Sequence, residues 1–144
     1  MELPEITDDQ MRSRLGQTLA YTVVLLLEGP RYHEPESRAI VWEHGRRNFA
    51  LNAAGLLAVV CPVTDDSPWC GVGIFTGSVE QTIEIMEGDP GVKAGVFTYE
   101  AHPVRGFPGS VLPGEPAQAS MRATSSATSS VPLAAIPRSN QSAR

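Results

Sequence analysis

Seven residues constrain this chain more than any others: residues 21–27 read YTVVLLL. The run is rich in β-branched and aliphatic side chains and is apolar at both odd and even positions. Side chains of a strand alternate between its two faces, so such a strand needs cover on both. Glu28-Gly29-Pro30 ends it. At seven residues it is far too short to cross a bilayer.

The rest of the chain supplies the cover. Residues 34–54 predict a long helix: Pro35 suits a first turn, Glu34 and Glu36 suit the positive end of the dipole, and Gly55 suits the stop. A short apolar strand follows over 56–60, then a loop over 63–69 and a third strand over 71–76. In that strand Gly71, Gly73 and Phe75 share one face. Glycines inside a strand mark a close approach of backbone or ligand, or plain helix-on-sheet packing. Ser78-Val79-Glu80-Gln81 has the spacing of a capping box and opens a second helix to about Glu87. Asp89-Pro90 opens a further turn, with Asp89 suited to the N-cap. A fourth strand covers 96–101 and ends at His102-Pro103.

The order β-α-β-β-α-β predicts an α+β domain of the ferredoxin-like, split-βαβ kind, with two helices on one face of a four-stranded antiparallel sheet. The other face of that sheet would meet water, yet the first strand is apolar there too. A second copy of the chain is the simplest cover, so a homodimer is expected. The domain spans 21–112. Residues 1–20 form a polar extension, in which Thr7 and Gln10 can cap a short helix. Residues 113–144 form a Ser/Ala/Pro-rich tail without aromatics, expected to be disordered.

Composition narrows the function classes. The net charge is -5, and the residues beyond Pro113 (Glu115, Arg122, Arg138, Arg144) are net basic, so the body is more acidic than the whole. An acidic body is a poor match for a nucleic-acid backbone. The cysteines, Cys61 and Cys70, lie in or beside apolar runs with no CxxC spacing, and they read as core thiols of a reducing compartment. The acidic start lacks the pattern of a signal peptide, and a cytoplasmic, membrane-free protein is expected. Phosphate-loop, dinucleotide and serine-hydrolase strings are absent, and no histidine spacing supports a metal. No cofactor and no metal are therefore expected.

The residues that can carry chemistry are few. His33, His44 and His102 all titrate near neutrality in ordinary surroundings. On a helical wheel His44 falls between Ile40 and Leu51, with Trp42 and Phe49 roughly opposite, so it borders the apolar stripe. Spacing alone favours a structural histidine satisfied by its neighbours, and it leaves Asp89 as a plain helix cap. His102 clusters with Tyr99 and Arg105 near the end of the last strand, as ligand contacts or as surface.

Two strings add to that reading. Glu43-His44-Gly45-Arg46-Arg47 through Asn52-Ala53-Ala54-Gly55-Leu56-Leu57, and Asp89-Pro90-Gly91-Val92-Lys93-Ala94-Gly95, resemble the histidine helix and the DPxVKAG string of YCII-related domains. The resemblance covers roughly 21–109. It implies a ferredoxin-like chain that pairs into a dimeric α+β barrel, with His44 and Asp89 matching the family's proposed active-site pair. The chain departs from the pattern at Gly91, where an aromatic is frequent, and at Cys61, where a glycine is. With the resemblance, the expected function is a cofactor-independent enzyme of lyase or isomerase type. His44 would be its acid–base group and Asp89 the group that orients it, with a small cyclic or aromatic substrate near Gly71 and Gly73 and His102 as a further contact. The competing expectation is a non-catalytic metabolite-binding or structural dimer module. A cofactor-independent oxygenase is a third, by analogy of fold alone.

Overall fold

The computed structural model describes residues 1–115. The expected tail, 113–144, lies almost wholly outside the described residues. Of those described, Ala20–Arg105 form one unit, and Met1–Leu19 with the residues from Gly106 onward form another. In the smaller unit, helix α1 (Asp8–Leu15) starts at a true capping box: Thr7 Oγ1 accepts from Gln10 N, and Thr7 N donates to Gln10 Oε1. No residue of α1 is buried.

The larger unit is α+β, with a four-stranded antiparallel sheet compatible with the ferredoxin-like arrangement. Strand β1 (Leu19–Glu28) leads to helix α2 (Ser37–Ala53), strands β2 (Leu57–Pro62) and β3 (Trp69–Phe75), helices α3 (Val79–Glu87) and α4 (Pro90–Lys93), and strand β4 (Phe97–Gly106). Hydrogen-bonded neighbours run β2-β3-β1-β4. Thr22, Val24 and Leu26 lie opposite Phe75, Gly73 and Gly71, while Leu57, Val60 and Pro62 of β2 meet the same three residues from the other side. That face carries the core: Val24, Leu26, Leu57 and Phe75 from the strands, Val41 and Met86 from the helices, and Val96 and Phe97 at the start of β4. On the opposite face of β1, Val23, Leu25 and Leu27 are only half-buried, and Val72, opposite Leu25, is 36% exposed.

Helix α2 buries Ser37, Val41, His44 and Gly45, a four-and-three spacing that defines one face. It starts at Ser37 rather than near Glu34. Residues 29–37 form successive tight turns instead, with Tyr32 N donating to Gly29 O, Glu34 N to Arg31 O and Ser37 N to Glu34 O. Its stop is as expected: Gly55 has φ +76°, Gly55 N donates to Asn52 O and Leu56 N to Leu51 O. Ser78 and Gln81 form the expected capping box on α3. Strand β4, expected to end at His102-Pro103, continues to Gly106. It lies at an edge of the sheet, where a proline costs no ladder bond on its open side. Among the described residues no helix is long and apolar enough to cross a membrane.

Candidate functional site

His44 and Asp89, 45 positions apart, meet in the core: His44 Nδ1 stands 2.8 Å from Asp89 Oδ1. His44 is 7% exposed and Asp89 1%. Asp89 serves two functions with two oxygens. Its Oδ2 accepts from Gly91 N at 2.9 Å and Val92 N at 3.1 Å, capping α4, while Oδ1 faces the imidazole. Capping therefore orients the carboxylate toward the histidine instead of competing with that contact. Burial pushes the Asp89 carboxyl up. The hydrogen bond and charge of His44, with the two backbone N–H groups, outweigh that push and hold it below its usual value. An ionised carboxylate accepts only, so His44 Nδ1–H donates; when the imidazole is neutral, its other nitrogen carries the lone pair.

That second nitrogen is engaged as well. Asn48 Nδ2 lies 3.0 Å from His44 Nε2, one helical turn along α2. The imidazole packs on Phe97, with ring centroids 4.7 Å apart and planes at 51°. Phe97 in turn explains Gly91: a Cβ there would collide with the Phe97 ring and approach Asp89 Oδ2 to 3.0 Å. The space beside Asp89 is thus filled by an aromatic from β4. Behind Asp89, Arg47 Nη1 lies 3.9 Å from Oδ1 and is buried without a hydrogen-bond partner among the described residues.

His44 borders a cavity of about 80 Å3 between α2 and the sheet. His44 and Asn48 line it, and Asp89 does not. Its walls are otherwise largely apolar, with Val24, Leu26, Val41, Leu57, Phe75, Met86 and Phe97 among them, together with Tyr32 and Cys70. Among the described residues, no Asp, Glu, Lys or Arg lines it. Gly71 and Gly73 both line it, and so does Val72 between them. A Cβ on Gly73 would stand 3.2 Å from Leu57 Cδ1, and one on Gly71 3.3 Å from the Cys61 carbonyl oxygen. Bare glycines thus keep that floor open.

His102 is not brought to this cavity. It is exposed on β4, with Nε2 4.0 Å from Glu100 Oε2. Tyr99, its expected neighbour, donates instead to Glu87 Oε1 at 2.6 Å; burial and that carboxylate push the phenol up to about 12. His33 pairs with Glu28, Nε2 to Oε2 at 3.2 Å. Among the described residues, no group of three or more His, Cys, Asp or Glu side chains is placed to hold a metal ion.

Asn48, Arg47 and Phe97 complete the surroundings of the pair. Asn48 was legible at the i+4 position from His44, where helical side chains meet. Phe97 carries no local signal, because it reaches His44 only through the fold. Compared with family models and with curated proteins, the sequence matches none.

Proposed function

We propose that this chain is a YCII-related protein acting as a cofactor-independent enzyme of lyase or isomerase type on a small, uncharged cyclic or aromatic compound. One observation carries the reading: a buried His44–Asp89 pair at 2.8 Å, whose imidazole borders a largely apolar cavity with no Asp, Glu, Lys or Arg among its described lining residues. His44 Nε2 takes a proton from the substrate. Asp89 holds the Nδ1–H tautomer and stabilises the imidazolium that forms. Returning that proton to another atom of the substrate gives isomerisation, and returning it to a leaving group gives elimination. The described wall residues supply hydrophobic contact and no counter-ion, which favours a neutral substrate.

The chain acts as a homodimer in this reading. The half-covered face of β1 and β3, with Leu25 opposite Val72, supports a second copy packed there. A dimeric barrel built in this way is part of the proposal.

The test is a screen of neutral cyclic compounds for turnover, followed by His44→Ala and Asp89→Asn on the best substrate. Loss of about a hundredfold or more in kcat for His44→Ala is expected. A residual rate within about tenfold of the parent protein removes His44 from the acid–base role. A second reading, a metabolite-binding module without turnover, is favoured by the engagement of Nε2 by Asn48, which leaves the imidazole hydrogen-bonded at both nitrogens. Compounds that bind but stay unchanged over hours would support it.

A further inference from the structure

His44 has both ring nitrogens occupied by its own protein. Nδ1 belongs to Asp89, which does not line the cavity, and Nε2 belongs to Asn48, which lines it together with His44. The two partners differ in kind. Asp89 is 1% exposed and is held by two backbone N–H groups as well as by the imidazole, so it has nowhere to go. Asn48 is half-buried at the cavity wall, and its bond to His44 is the one side-chain bond it makes among the described residues. A carboxamide also has two ends. Its N–H donates to a neutral Nε2, and turned over, its oxygen accepts from the N–H of an imidazolium.

We propose that Asn48 is a positioning residue that latches His44 Nε2, and that the ligands admitted are uncharged molecules carrying a hydrogen-bond donor that replaces the Asn48 amide there. The inference rests on the reading of His44 as the group that meets the ligand. An apolar molecule without an O–H or N–H leaves the latch closed, and one that presents such a donor takes over Nε2 and releases the amide. The charged and titratable groups around His44 are Asp89, ahead of α4, and Arg47, behind Asp89 on α2, with the Tyr32 phenol and the Cys70 thiol also lining the cavity it borders. Among the described residues, the sheet adds the Cys70 thiol but no carboxylate or amine to the cavity walls.

Diethyl pyrocarbonate tests this without a known substrate, because it acylates an unprotonated imidazole nitrogen whose lone pair is free. The rate at His44 is read by peptide mass spectrometry against His102 in the same molecules, which is exposed and outside the cavity. Asn48→Ala is expected to raise the His44 to His102 rate ratio about fivefold, the worth of one ordinary hydrogen bond. Asn48→Asp is expected to act in the opposite sense. A carboxylate there accepts from the imidazolium, so the pH profile of His44 modification moves to higher pH by about one unit. Opposed responses at one position separate a latch from simple packing, which would give both variants the same direction. An unchanged ratio in Asn48→Ala, or an unmoved profile in Asn48→Asp, overturns the latch.

The donor requirement is read by protection. Phenol is expected to slow modification of His44 in the parent protein more than toluene does at equal concentration. Phenol protecting no better than toluene, including protection by neither, overturns it. Turnover enters none of these readouts. A latch that behaves as expected beside a His44→Ala variant that keeps its rate would refute the proton-transfer reading and leave the latch standing.

Discussion

Asp89 concentrates more structural consequence than any other side chain in the site, because one buried carboxylate caps α4 and fixes the imidazole. Its folded-state pKa is depressed, so the stability it contributes is fully present above its unfolded value of 3.8 and is lost as pH falls through the folded value. Thermal melts followed by circular dichroism should therefore fall more steeply with acidification below about pH 4 in the parent protein than in Asp89→Asn. Equal slopes would mean that the carboxylate is not the titrating group. Gly91 makes a second residue-scale prediction. Gly91→Ala drives a methyl group into Phe97 and should cost about 1–3 kcal/mol in urea unfolding. Gly91→Ala combined with Phe97→Leu should cost less than the sum of the single changes, since the two positions share one space. Strict additivity would show that Phe97 is not what excludes a side chain at 91.

Elements here are set mostly by their ends. The capping boxes at Thr7 and Ser78 and the left-handed Gly55 were readable because each is a local device, complete within a few residues. Ser78→Ala should lower stability by about 1 kcal/mol, measured by denaturant midpoint at an unchanged slope. The start of α2 was misread because Pro35 and its flanking glutamates suit a first turn equally well outside a helix. The turns from Gly29 onward took them. The end of β4 was misread because Pro103 stops a strand only where its missing N–H is needed, and an edge strand does not need it. The Tyr99–Glu87 bond ties β4 to α3 and is also testable. With its phenol pushed up to about 12, Tyr99 favours the protonated form, so its contribution is complete below pH 10 and disappears as pH rises through about 12. Glu87→Gln should bring the Tyr99 ionisation to lower pH in an ultraviolet absorbance titration, whereas an unmoved titration would leave Glu87 without influence on it.

At the scale of the whole molecule, the proposed second copy makes the remaining prediction. If it covers the apolar face of β1 and β3, light scattering at micromolar concentration should give twice the chain mass. Val72→Lys should then give the single chain mass, because an ammonium at a buried seam has no partner there. A parent protein that is already monomeric would remove the dimer from the proposal. The same scale separates what was legible from what was not. The α+β order, the face shared by Gly71, Gly73 and Phe75, and the placement of His44 beside an apolar stripe follow from periods of two and 3.6 and from local stop signals, all of which a chain carries without folding. The pairing of His44 with Asp89 entered through a resemblance of short strings, and spacing alone left one residue structural and the other a cap. Folding decided that both are true at once, because the cap turns its second oxygen toward the imidazole across 45 residues of chain. It also decided that Phe97 fills the place beside Gly91, that His102 stands apart from the cavity, and that Asn48, one turn from His44, holds its free nitrogen. Each of these depends on where β4 and α4 come to rest against α2, and that is a property of tertiary packing that no local pattern encodes.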